Sequence, residues 1–201
     1  MIIEGILLGI LIGKLKGGRF KRLGHSILKL PWIIFFAFSL QLLTSIMISL
    51  GETTIIKYRL ILYALSYCLL IISLFFNIQF QSIWFIIIGS LANFIAIVFN
   101  GGSMPIDINH LRRMKLTNLL TSIETGGLPQ YIPIEKAVGY TKYLGKILAT
   151  PNIYPLKQIF SVGDLLVVLG IFLLIQKMMS PNIYNRDSKV LKLDHKEKII
   201  K

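Results

Sequence analysis

The chain has 201 residues, 54% of them hydrophobic and only 15% charged, with a mean hydropathy of +0.70 and a formal net charge of +13. A soluble domain carries about a quarter charged residues; here the charges cluster and leave long uncharged runs, which excludes an ordinary soluble domain and points to an integral membrane protein. The positive excess beside so much apolar sequence suits anionic lipid head groups rather than nucleic acid, and the lone cysteine, Cys68, excludes an intrachain disulfide and a cysteine metal cluster.

Residues 1–13, MIIEGILLGILIG, are apolar with one acid, Glu4. At about 1.5 Å per residue the run covers about 20 Å, short of the roughly 30 Å hydrocarbon core, and reads as a short first span. Basic residues follow it rather than precede it, unlike a signal peptide. Glu4, an acid in an apolar run, is a candidate functional group near the outer face. Residues 13–25, GKLKGGRFKRLGH, carry Lys14, Lys16, Arg19, Lys21 and Arg22. The positive-inside rule makes this loop cytoplasmic, with its cations on lipid head groups. The GxxxxGK[ST] pattern of a phosphate-binding loop is absent.

Three further spans follow, at about 30–50, 59–77 and 83–99. Pro31 suits the first turn of the second span, and Trp32 the membrane interface. Gln41 in the second span and Asn93 in the fourth are polar side chains within apolar runs, suited to bonding between helices or to lining a path together with Tyr67. Residues 100–160 form a long outer loop. Within it, Ile108, Leu111, Leu116, Leu119, Leu120 and Ile123 approximate one face of an amphipathic helix. Ile134, Ala137, Val138, Leu144, Ile147 and Leu148 approximate a second, with Pro133 at its start. The fifth span is about 161–179, and residues 180–201 read as a basic cytoplasmic tail. The expected fold is thus all-α: a polytopic bundle of about five spans, with amphipathic helices in one extracytoplasmic loop.

The fifth span opens with an acid, Asp164, in QIFSVGDLLVVLG. Ser161-x-x-Asp164 has the spelling of a capping box, in which the hydroxyl caps a backbone N–H and the acid reaches back. A chemical reading competes with it. The exit of the fourth span, FNGGSMPIDINH, brings Asn100, Gly101, Gly102 and Asp107 to the same membrane face as Asp164. Two carboxylates that share a proton can act as base and acid. The bland reading of that exit is a helix stop at Gly101 and a cap at Asp107. Asp107 and His110 share a helical face, but two ligands fall short of the three that a metal site takes, so no metal and no cofactor is expected.

FNGGSMPI at 99–106 and IFSVGDLLVVLG at 159–170 resemble the motifs of an uncharacterised family of bacterial membrane proteins, a domain of unknown function. The short first span, the basic loop and the long loop between the motifs are similar too. Members tend to read Leu-Gly-Asp in the loop, where this chain has Leu144-Gly145-Lys146. The resemblance implies a membrane fold and no particular activity. IFSVGD is also similar to the last motif of lipoprotein signal peptidases, in which Asp164 would match the catalytic aspartate. Their Gly-Asn-x-x-Asp-Arg motif is not reproduced, since Asn100 and Asp107 stand too far apart.

The sequence therefore leads first to a non-catalytic protein of the bacterial cytoplasmic membrane. Its glycine-lined mouth would bind a lipid, a peptide or a membrane protein partner through Asn100, Gly101, Gly102, Asp164, Asn93, Gln41 and Glu4. An aspartate-dependent hydrolase using Asp107 and Asp164 is the alternative, and a small transporter a third reading.

Overall fold

The computed structural model of the chain describes residues 1–20, 23, 28–151, 154 and 156–180. Lys21, Arg22 and the tail from 181 onward lie outside the described residues.

Five long helices form the body: α1 (Ile2–Leu15), α2 (Pro31–Ser49), α3 (Thr53–Phe75), α4 (Gln81–Phe99) and, after the long connection, α7 (Val162–Met179). Four of them, α2, α3, α4 and α7, are long and apolar enough to cross a membrane. Their bounds follow the apolar runs, although α3 starts earlier than its run suggests, at Thr53. The fifth expected span, α1, has 14 residues. At about 1.5 Å per residue it extends for about 21 Å, below the length of the other four.

Neighbours run in the order α2, α3, α4, α7, α1. The α2–α3 turn uses Gly51 at φ 83°, the left-handed region where glycine carries no Cβ penalty. At the far end of that hairpin, fully buried Asn77 holds the start of α2. It accepts from Lys29 N at 2.7 Å and donates to Lys29 O at 2.8 Å, and Ser73 Oγ donates to Leu30 O. These bonds support Leu30 at φ 52°, a conformation that strains a residue with a Cβ.

Small residues set the tightest contacts. A Cβ on Gly89 of α4 would run into the Gly163 carbonyl of α7 and lie 2.9 Å from Val167 N. On α1, Gly5, Gly9 and Gly13 form a stripe against α7: added Cβ atoms would lie 2.6 Å from Val168 Cγ1, 3.3 Å from Ile175 Cβ and 2.6 Å from Met179 Sδ. This is close helix approach through small residues, the device that packs helices in a lipid-like surround. The matched order of contacts makes α1 parallel to α7, while Gly89 against Gly163 and Ile86 against Gly170 make α4 antiparallel to it. One end of the bundle therefore gathers the start of α7, the end of α4 and the start of α1. Lys14, Lys16 and Arg19 follow from the end of α1 at the opposite end, where Lys16 Nζ donates to Gln176 near the end of α7.

The helices leave much of their apolar surface uncovered. Leu7, Leu11, Trp32, Phe35, Leu42, Ile61 and Ile88 are all exposed. Large apolar side chains exposed on α1, α2, α3 and α4 alike mark a surface built for an apolar surround.

The connection from 100 to 160 departs from the all-α expectation. It holds β1 (Met104–Ile106) parallel to β2 (Tyr131–Pro133), and β3 (Leu148–Ala149) antiparallel to β4 (Ile159–Phe160). The first amphipathic segment is two short helices, α5 (Ile108–Arg113) and α6 (Thr117–Glu124), broken where Lys115 takes φ 56°. The expected face is right: Leu111 and Ile123 are buried together with Leu116, Leu119 and Leu120 against them. The second expected amphipathic helix is absent. Residues 134–136 and 139–143 form short 3-10 turns, Pro133 ends β2, and Ala137 and Val138 are extended. The cause is local: Gly139 sits at φ 54°, and the Asn100 side chain takes the Val138 N–H that a helix would use.

Candidate functional site

The capping box at the start of α7 is present. Asp164 N donates to Ser161 Oγ at 2.9 Å, and Ser161 N donates to Asp164 Oδ2 at 3.0 Å. Yet the cap is only part of what Asp164 does. Asn93 reaches across from α4 and donates to Asp164 Oδ1 at 2.8 Å, while Ser161 Oγ donates to Asn93 Oδ1 at 2.7 Å. One helix start is thus locked to its antiparallel neighbour by a ring of three residues that closes through the backbone N–H groups of the capping box, and Gly163 leaves room for it, since a Cβ there would strike Asn93 Oδ1. Asn93 does bond between helices, and its partner is the acid.

Lys146 is the fourth member. Its Nζ lies 3.5 Å from Asp164 Oδ2. Its backbone is fixed beside β1 on both sides: Lys146 N donates to Pro105 O at 2.7 Å, and Asp107 N donates to Lys146 O at 3.1 Å. Gly145 permits this, because a Cβ would lie 2.7 Å from Pro105 O. The residue that departs from Leu-Gly-Asp thus faces the acid of α7 as a cation.

Around this pair lies a cavity of about 190 Å³, lined by Gln41 and Ser45 of α2, Tyr63 and Tyr67 of α3, Asn93 and Ile97 of α4, Gly102, Met104, Gln130, Tyr131, Lys146 and Asp164. Gln41 interacts with Tyr67 and Ser45 with Tyr63. Gln130 is placed by β-pairing, since its carbonyl accepts from Met104 N at 2.8 Å, and its amide nitrogen approaches Ser49 Oγ at 3.3 Å. Its Oε1 is buried without a hydrogen-bond partner. A buried acceptor left unmatched costs about 1–3 kcal/mol, so such atoms mark places where a further group belongs.

Of the residues singled out in the sequence, Gln41, Tyr67, Asn93, Gly102 and Asp164 come together here. Asn100 and Gly101 stand at the same end but outside the lining. Asn100 is spent on the loop, donating to Ala96 O at 2.6 Å and Thr141 Oγ1 at 2.9 Å and accepting from Val138 N. Gly101 turns the chain at φ 62°. Asp107 caps α5 by accepting from Asn109 N at 2.8 Å and lies 3.5 Å from His110; its carboxylate shares no partner with that of Asp164, and it does not line the cavity. Glu4 sits in a separate cluster with the terminal ammonium of Met1 at 2.6 Å and with Gln158 Nε2 at 2.8 Å. Desolvation, and then the Glu4 carboxylate, push the Tyr154 phenol above its usual range. Lys146 stood out only as the departure from Leu-Gly-Asp, and Gln130, Tyr63 and Tyr131 were not singled out. They meet only through strand pairing and helix packing between distant segments.

The architecture is a helical bundle suited to a membrane, with a polar, charge-paired cavity at one end. The chain belongs to a family of unknown function, DUF5317, whose model matches residues 25–176. No curated protein and no solved structure matches the chain.

Proposed function

We propose that this chain is a multi-pass protein of the bacterial cytoplasmic membrane that binds a small polar group, a lipid head group foremost, in the cavity beside Asp164, without chemistry on it. The single observation that carries the reading is the composition of that cavity. It combines a Lys–Asp pair, three amide side chains and three tyrosines inside a bundle whose outer surface is apolar. Convergent polar groups in a concave site are the usual mark of ligand recognition. Polar residues among apolar helices are expensive unless they serve a function.

The proposed orientation puts residues 100–160 and the cavity on the extracytoplasmic side. It is supported by the placement of Lys14, Lys16 and Arg19 toward the opposite end of the bundle, since cytoplasmic loops carry the basic excess. The membrane lipids, and in particular anionic head groups around residues 14–22, are the proposed partners at that end. A hydrolase built on Asp107 and Asp164 draws less support, because each carboxylate is held in its own network and Asp164 faces a lysine instead.

Native mass spectrometry of the purified protein tests the reading. The wild type should release from detergent carrying a bound small molecule or lipid, and Lys146→Gln should lose it while keeping its helical circular dichroism. A wild type that carries nothing from any lipid mixture contradicts the proposal.

A further inference from the structure

Resting on that binding reading, we infer that the cavity takes a compact zwitterion: an anionic group on Lys146 and a primary ammonium shared by Asp164 and Gln130 Oε1. Three features of the cavity point there. The first is the pair itself. Lys146 and Asp164 lie 3.5 Å apart, at the long edge of a charge-assisted contact, which runs at about 2.7–2.9 Å when well made. Asp164 is the only acceptor the ammonium of Lys146 has among the described residues, so two of its three protons are free for an anion. Both side chains are only partly exposed, at 24% and 27%.

The second is Gln130, which lines the same cavity, is only 6% exposed and has its Oε1 unmatched. That atom needs a donor, which a phosphate or carboxylate cannot supply and an ammonium can. Asp164 Oδ1 receives only the Asn93 amide and has a lone pair to spare for the same donor.

The third is charge balance. One cation and one anion line the cavity, so a guest of a single sign is attracted by one of them and repelled by the other. A zwitterion answers both, with its ends set against opposite signs. The size agrees: a cavity of about 190 Å³ has room for a phosphoethanolamine-sized group.

The same chemistry comes either from the head group of an ethanolamine lipid or from a free small zwitterion, and the test separates the two. The full chain is placed in detergent and titrated, by native mass spectrometry, with phosphatidylethanolamine, phosphatidylcholine and phosphatidylglycerol, and separately with free phosphoethanolamine. Phosphatidylethanolamine should bind about tenfold or more tighter than phosphatidylcholine, whose trimethylammonium donates no N–H bond, and tighter than phosphatidylglycerol; one charge-assisted hydrogen bond is worth that much. Lys146→Gln should weaken binding of all three lipids about tenfold or more and Lys146→Arg retain it, and Gln130→Leu should narrow the gap between the ethanolamine and choline lipids. Binding of free phosphoethanolamine with none of the three lipids bound keeps the zwitterion and assigns it to a soluble source. Phosphatidylcholine binding as tightly as phosphatidylethanolamine overturns the primary ammonium, and phosphatidylglycerol doing so overturns the zwitterion; both leave a lipid-binding cavity in place. Binding of none of the four overturns both.

Discussion

Replacing Asn93 with alanine should weaken the bundle far more than a single polar truncation on a helix normally does. The substitution removes the Asn93 bond to Asp164 Oδ1 at 2.8 Å and the bond from Ser161 Oγ at 2.7 Å. A hydrogen bond to a charged acceptor is worth about 1.5–3 kcal/mol and a neutral one about 0.5–1.5 kcal/mol. Measured interhelical bonds in membrane proteins are smaller, about 0.6 kcal/mol on average and up to about 1.7. Between those scales the expected loss is about 2 kcal/mol. Ser161→Ala removes the cap and the same Asn93 contact, and should cost about 1–2 kcal/mol. The two changes share one ring, so the double variant should lose about 1 kcal/mol less than the sum of the singles. Reversible unfolding of the reconstituted protein by sodium dodecyl sulfate measures all three. Losses that add to within about 0.3 kcal/mol would refute the ring, leaving the cap and the α4–α7 contact as independent features.

Three more outcomes follow from the same geometry. Gly89→Ala should cost about 1–3 kcal/mol or more in the same unfolding assay, because the new Cβ meets the backbone of α7 at Gly163 and Val167, which cannot rotate away as a side chain can. A wild-type stability would mean that α4 and α7 stand further apart. Gly9→Leu should displace α1 from α7, seen as a longer and broader spin-label distance between the exposed positions Leu7 and Leu169, and an unchanged distance would contradict the glycine stripe. In a Cys68→Ser background, a cysteine at the 87% exposed Tyr140 should react with a membrane-impermeant thiol reagent in intact cells and one at Lys16 should not; the reverse pattern would invert the proposed orientation.

The long helices were legible because an uncharged run of about 20 residues has few other fates. The cap was legible because Ser161 and Asp164 stand at the spacing a capping box requires. The glycine stripe of α1 was equally present, as Gly5, Gly9 and Gly13 every fourth residue, and is the signal that could have told the helix's packing partner apart from its reach. The loop was misread for two physical reasons. Apolar spacing at 134–148 fits a helix, but Gly139 and the Asn100 side chain take the backbone elsewhere. Short strands of two or three residues leave no periodic trace at all. The cavity needs both: Lys146 and Gln130 face it only because Pro105 bonds one segment and Met104 the other. Asp164 was visible as an acid worth explaining, and so were its partners Ser161 and Asn93, whereas Lys146 and Gln130 were not visible as its neighbours.

The central claim is that this cavity holds a guest, and the most direct measurement is an experimental density map of the full chain in a nanodisc of native lipid. The account predicts continuous density larger than water, within hydrogen-bonding distance of both Lys146 Nζ and Gln130 Oε1. A cavity filled by separate ordered waters, with one on Gln130 Oε1, would contradict it and leave the Lys146–Asp164 pair as a structural tie between the loop and α7.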